Sequence, residues 1–232
     1  MATDYSDRYN LETDFDRHYT VATAKRIRRW FRPGDRVLEF GPANGYMTSL
    51  LAERDVRITA VEMSANYVEQ ARARGIPNAE FVQGTVEEFQ TDERFNHVIG
   101  AHLINELTDP QGFLERCREL LAPGGLFHIS FTNPRSIHRM VALELGMIED
   151  LHALSALGAD LGTKQIFEAE ALIAMGREAR LTCVHREGIL VKPLTNAQMA
   201  ELPDEVIEGF DLLARHFPDH GALNYAIFVA EE

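Results

Sequence analysis

The 232-residue chain has little with which to make covalent or metallic cross-links: Cys117 and Cys183 are its only cysteines, and no CxxC pair occurs. That scarcity argues against a disulfide framework and a zinc-thiolate site, and both thiols read as small core residues. Among the histidines His18, His97, His128, His185, His216 and His220 only His216 and His220 stand four apart, with Pro218 between them against a shared helix face, so no metal is expected. Positive charge is also scarce, with 23 Lys and Arg against 36 Asp and Glu, a net charge of −13. Nucleic-acid binding at physiological salt needs basic residues gathered on one face, so no nucleic-acid partner is expected and the substrate is read as a small molecule. No apolar run approaches the roughly 18 residues of a membrane span, so no membrane partner is expected. The start, Met1-Ala2-Thr3-Asp4-Tyr5, has neither the basic opening nor the apolar middle of an export signal, which points to the cytoplasm. Repeats, low-complexity tracts and Pro, Gly or Ser-rich linkers are missing too, so residues 1–232 read as one domain.

What is present is alternation. Between residues 36 and 132, short apolar runs ending in Gly or an acid alternate with longer amphipathic runs, the pattern of βαβ units in a parallel, doubly wound α/β sheet. Strands are expected at Arg36–Phe40, Arg57–Val61, Glu80–Gln83, His97–Ala101 and Leu126–Phe131, with helices at Met47–Arg54, Ala65–Arg74 and Pro110–Leu121 and a short helical piece at Val86–Phe89. Upstream, Phe15–Phe31 has helical spacing. Downstream the alternation loosens: residues 134–165 read as mainly helical, a cap over the carboxyl edge of the sheet. A flanking helix at Glu168–Ala179 and two late strands, Leu181–Val191 and Asn224–Val229, then enclose a further helical stretch, Asn196–Arg215. The division is an N-terminal helical lid at 1–35, a core at 36–132, and helical cap insertions at 133–165 and 194–218.

The informative segment is Val37-Leu38-Glu39-Phe40-Gly41-Pro42-Ala43-Asn44-Gly45. An apolar strand that ends in an acid and turns through two glycines four apart brings backbone amides and a helix start to whatever binds there. A dinucleotide turn would read GxGxxG, and Pro42 after Gly41 breaks that spacing, which counts against a nicotinamide cofactor. Glu62 follows Gly41 by 21 residues at the end of the second strand, where a carboxylate can accept from both ribose hydroxyls. Gly84-Thr85-Val86 follows the third strand, where a backbone amide and a short polar side chain can meet a base.

These segments, with Phe95–His102 and the turn Leu121-Ala122-Pro123-Gly124-Gly125-Leu126, resemble in order the motifs of the class I S-adenosylmethionine-dependent methyltransferases, of the small-molecule type. The resemblance covers about residues 36–132. It implies a Rossmann-like doubly wound seven-stranded sheet, mostly parallel with a late antiparallel strand, plus helical cap insertions. It also implies S-adenosylmethionine as cofactor. Glu39, Gly41, Pro42 and Gly45 would meet its methionine portion, Glu62 the ribose diol, Met63, Thr85 and Val86 the adenine, and the Ala101 carbonyl the amino group. Tyr19, in the lid region with Tyr5 and Tyr9, would face the sulfonium. Thr85 stands where many members carry Asp, and Asn96 replaces the Asp that usually opens the fourth strand.

Methyl transfer asks mainly for alignment and dryness, with a general base when the acceptor is an alcohol, phenol or amine. His102, directly after the fourth strand, is the candidate base, and Asn105 in the same loop and His138 are further catalytic candidates. Asn133, Arg135 and Arg139 form the expected acceptor site, the two arginines being suited to a carboxylate or phosphate. The leading reading is methyl transfer to oxygen of a small molecule. Two others stay open: non-methylating use of S-adenosylmethionine by cyclisation or aminocarboxypropyl transfer, and a non-catalytic cofactor-binding scaffold. A homodimer is compatible with the chain.

Overall fold

Apolar runs bounded by turn residues become strands when both of their faces can be buried. In the computed structural model, which describes Ser6 and residues 12–231, seven such strands form one sheet. They are β1 (Asp35–Phe40), β2 (Val56–Glu62), β3 (Ala79–Gln83), β4 (Phe95–Ala101), β5 (Leu121–Thr132), β6 (Leu181–Ile189) and β7 (Leu223–Ala230). Their order is β3-β2-β1-β4-β5-β7-β6; β7 runs antiparallel to both neighbours and every other pairing is parallel. The Rossmann-like sheet with a late antiparallel strand is therefore as expected. One consequence matters for the site: β6 runs in the same direction as β1–β5, so the residues after Ile189 emerge at the edge where β1, β2, β4 and β5 end.

Helices cover both faces. On one lie α1 (Arg17–Arg28), α2 (Tyr46–Leu51), α3 (Ala65–Ala73) and α9 (Asp204–Leu213), packed on Val37, Ile58, Ile99 and Ile227. On the other lie α4 (Pro110–Leu120) and α7 (Ala169–Glu178), packed on Leu38, Val98, Phe127 and Phe228. The alternation Val37/Leu38 and Val98/Ile99 between the two cores is the two-residue strand period at work. Burying each of Phe40, Phe127 and Phe228, all fully enclosed, stabilises the fold by about 1.5–3 kcal/mol.

A polar line crosses the first face. Asp35 Oδ2 lies 3.0 Å from His97 Nε2, His97 Nδ1 2.9 Å from His128 Nε2, and His128 Nδ1 2.8 Å from the Tyr225 hydroxyl. One arrangement of protons satisfies all three bonds with an ionised Asp35: Tyr225 donates to His128, His128 to His97, and His97 to the carboxylate. Both rings are then neutral, in keeping with burial, which lowers the pKa of each.

Three expectations change. Val86–Phe89 is a single turn over residues 86–88 and not an assigned helix: Thr85 and Glu88 exchange the bonds of a helix start and Phe89 N–H donates to Thr85 O at 3.1 Å, but it is only one turn long. The stretch Asn196–Arg215 is split into α8 (Asn196–Met199) and α9, since Pro203 cannot continue a helix and instead precedes α9. In 134–165 only α5 (Ile137–Glu144) and α6 (Ala156–Asp160) are helical, and turns fill much of the interval. No helix among the described residues is long and apolar enough to cross a membrane.

Candidate active site

Where β1 ends, the chain turns through Gly41, Ala43 and Gly45, all at positive φ (71°, 48° and 77°). Gly41 donates to Val61 O at 2.9 Å and Gly45 to Pro42 O at 2.9 Å. A Cβ on Gly45 would stand 3.0 Å from Ala71 Cβ and 3.2 Å from Phe81, so this glycine lets α2 begin tight against α3 and β3. At Gly41 the neighbour is the Leu103 side chain, 3.4 Å from an added Cβ, which lays the loop after β4 over the turn.

Two buried carboxylates flank the turn. Glu62, closing β2, accepts from Ala43 N–H at 3.0 Å and Ser64 N–H at 2.8 Å, so the turn itself orients it. Glu39 accepts from the Thr48 hydroxyl at 2.7 Å, and burial, with the Glu62 charge adding to it, pushes its carboxyl up to about 7. Further along the edge, Met63 is exposed and Thr85 and Val86 occupy the turn after β3, beside a cavity of about 470 Å³ that includes Gly84 and Phe89. Ser6 and Glu12 reach the same place: Asn66 donates to Ser6 at 2.9 Å, Asn44 to Glu12 at 3.4 Å, and Arg74 pairs with Glu12. Tyr5 and Tyr9 lie outside the described residues.

Ala101 ends β4, and His102 follows at φ 61° with its amide on Ser130 O at 2.9 Å. Its Nε2 lies 3.2 Å from the hydroxyl of Thr23 on α1. Burial lowers its pKa to about 4, so the imidazole is neutral near pH 7. Tyr19 sits one turn before Thr23 on the same helix face, and its hydroxyl bonds Asn196 Oδ1 at 3.3 Å. The expected cofactor residues thus gather along the ends of β1–β4, with α1 bridging toward the rest of the edge.

The other candidates are taken up differently. Asn105 accepts from Thr132 N–H at 3.0 Å and donates to Gln165 O at 2.8 Å, tying the end of β5 to the end of the 133–165 segment. Asn133 donates both amide protons, to Asp219 O and Gly221 O, each at 2.9 Å. Exposed Arg135 pairs with Glu168 at 2.9 Å, and buried Arg139 donates to the carbonyls of Leu151 and Ala153 at 2.9 and 2.5 Å. His138 donates its backbone N–H to Lys192 O at 3.0 Å, while its buried Nδ1 has no hydrogen-bond partner among the described residues. Burial, then Lys192 and Arg139, lower its pKa to about 3.

Sequence reasoning missed Thr23, Asn196 and Lys192. The signal for Lys192 was present: it is the single cation in the run Ile189-Leu190-Val191-Lys192-Pro193-Leu194. Thr23 and Asn196 had no local signal, because each matters only through a contact made across the fold.

The donor set along β1–β4 suits an adenosyl amino acid: a fixed carboxylate for a diol, a tight turn opposite, apolar Met63 and Val86 for a purine, and at Gly84 a backbone where an added Cβ meets nothing within 4 Å. Comparison with known proteins agrees. Residues 37–125 match the model of the methyltransferase domain. The chain is 28% identical over 176 residues to the ubiquinone biosynthesis O-methyltransferase of Pasteurella multocida (strain Pm70), covering 70% of this chain and 72% of that one. In fold it is similar to a chain from the complex between the Haloferax volcanii Trm112 methyltransferase activator and a methyltransferase, with TM-score 0.68, 18% identity, and 98% and 96% coverage. It is similar also to the N-methyltransferase NodS of Bradyrhizobium japonicum WM9, solved with S-adenosyl-L-homocysteine, with TM-score 0.63, 18% identity, and 97% and 93% coverage. Residues 37–125 thus match a methyltransferase domain, and the fold of the chain as a whole is that of solved methyltransferases.

Proposed function

We propose that this methyltransferase acts in the cytoplasm on a small molecule and that the atom it methylates is a hydroxyl oxygen. The observation that carries the oxygen assignment is His102, a neutral imidazole fixed at the end of β4 by Thr23 and by its own backbone bond to Ser130. A hydroxyl must lose its proton as it becomes an ether, and an unprotonated ring beside it can accept that proton. Relatives named ubiquinone biosynthesis O-methyltransferases support the same atom.

S-adenosylmethionine, when bound, supplies a methyl group on a sulfonium. Around it, Glu62 holds the ribose hydroxyls, while Glu39 and the turn Gly41–Gly45, including Pro42, border the amino-acid end. Met63, Thr85 and Val86 border the base, and the Ala101 carbonyl accepts from the amino group. Tyr19 and the segment of Ser6 and Glu12 form the inner side of a lid at 1–35, a reading supported by their bonds to α8, the glycine turn and α3. Segments 133–165 and 194–218 enclose the acceptor. Asn105, Asn133 and Arg139 set the shape of that enclosure, Arg135 stands at its rim, and His138 faces its interior.

Product analysis tests the reading. Incubation with S-adenosylmethionine and a panel of phenols, alcohols and amines is expected to yield a methyl ether and S-adenosylhomocysteine. N-methyl products alone would overturn the oxygen assignment.

A further inference from the structure

We infer that the acceptor bears a carboxylate and that Lys192 binds it. The inference rests on the acceptor site proposed above and names the class of molecule that enters it. Lys192 follows β6, and because β6 runs parallel to β5 its side chain is delivered to the carboxyl edge of the sheet, on the far side of β4 from the glycine turn. Its neighbour across the edge is His138, whose amide donates to the Lys192 carbonyl, and on α1 it faces Tyr19, one turn from the Thr23 that holds His102.

The ammonium is 6% exposed with the rest of its residue, and its surroundings do little to satisfy it. It donates to Asn196 Oδ1 at 2.5 Å and lies 5.9 and 6.0 Å from the ring centres of Phe15 and Tyr19. Among the described residues no carboxylate comes within 4.0 Å of it; Asp16 acts on it from farther off and reaches it through Asn196, which donates to Asp16 Oδ1 at 3.0 Å. Arg139 adds a second positive charge nearby. A buried ammonium with one neutral acceptor has donors to spare, and an ion of opposite sign is the group that gains most from them. Of the three cations named at this edge, Arg135 pairs with Glu168 and Arg139 donates to two carbonyls, whereas Lys192 has one neutral acceptor. One ammonium beside two aromatic rings fits a carboxylate on an aryl or short alkyl body better than a phosphate.

The test uses the full-length chain saturated with S-adenosylhomocysteine. Hydroxybenzoates, hydroxycinnamates and short aliphatic hydroxy acids are titrated by calorimetry, each beside its neutral methyl ester. At least one acid is expected to bind about 10-fold or more tighter than its ester, the scale of one charge-assisted hydrogen bond. Lys192→Gln is expected to abolish that preference and Lys192→Arg to retain part of it, with S-adenosylhomocysteine affinity unchanged in both as the check on folding. No preference for acid over ester in the unmodified protein, or a preference that Lys192→Gln keeps, overturns the inference. Acids that bind through Lys192 but are never methylated would instead sink the proposed oxygen transfer and leave the carboxylate site standing.

Discussion

The two halves of the carboxyl edge are built on different principles. On the β3-β2-β1-β4 side, the functional groups are backbone turns and strand-end carboxylates held by neighbours close in sequence or one strand away: Glu62 by Ala43 and Ser64, Glu39 by Thr48. On the β4–β5 boundary and the β7-β6 side, they are side chains held by contacts that reach farther: Asn105, after β4, by Thr132 and Gln165, and Lys192 by two rings on or beside α1 as well as by Asn196 four residues on. The first design makes a site whose shape survives changes in the surrounding surface. The second makes one whose specificity can change whenever a single distant contact does.

Mutations that attack one half alone separate the two. The largest effect is expected from Gly45→Val, which forces a branched residue into positive φ and into Ala71 and Phe81. A loss of about 3 kcal/mol or more in denaturant unfolding is expected, with cofactor binding lost as the turn distorts. Next comes Glu62→Ala, which should weaken S-adenosylhomocysteine by about 1–3 kcal/mol in calorimetry through loss of charge-assisted hydrogen bonds. An unchanged affinity would remove Glu62 from the cofactor site. His102→Ala is expected to lower kcat by about 10²-fold while leaving cofactor affinity nearly intact; equal losses in both would make it a packing residue that belongs to the first half.

A pH series probes groups shared by the fold. His97, His102, His128 and His138 all have folded pKa values below 6.5, His102 at about 4 and His138 at about 3, chiefly through burial. As pH falls below 6.5 the unfolded chain takes up protons that the folded chain refuses, so stability should drop, by at most about 1.4 kcal/mol per histidine per pH unit. Glu39 works in the opposite sense: raised to about 7, it contributes stability that is present at low pH and is lost as pH rises from 4.5 through 7. Five histidines, since burial lowers His18 as well, against one glutamate leave a net loss on acidification, measurable as a falling urea midpoint between pH 6.5 and 5. The smallest effect is Arg135→Ala, whose exposed pair with Glu168 should contribute about 0–1 kcal/mol. A large drop in acceptor affinity on that change would move the anion site from Lys192 to the rim.

What could be read from the sequence follows the same division. Strand positions, the sheet class and the glycine turn were legible because burial on both faces writes continuous apolar runs, and because a tight turn needs particular residues at fixed spacing. The late strands were legible too, though the Leu181–Val191 run ends as a strand at Ile189, where Leu190 takes φ 52°. The shortness of the turn at 86–88 was not, since Val86-Glu87-Glu88-Phe89 has helical composition and Thr85 and Glu88 exchange the bonds of a helix start. Arg135 and Arg139 drew attention as the basic cluster, yet their partners Glu168, Leu151 and Ala153 are invisible to local pattern. Lys192 escaped notice because most of its surroundings come from α1 and from Phe15 and Asp16 just before it, far away in sequence and brought near by the parallel run of β6.

The most direct test of the two-half account is calorimetric titration of the unmodified protein, Glu62→Ala and Lys192→Gln with S-adenosylhomocysteine. The account predicts micromolar binding to the unmodified protein and to Lys192→Gln alike, and clearly weaker binding to Glu62→Ala. No binding to the unmodified protein, or a loss in Lys192→Gln as large as that in Glu62→Ala, would contradict it.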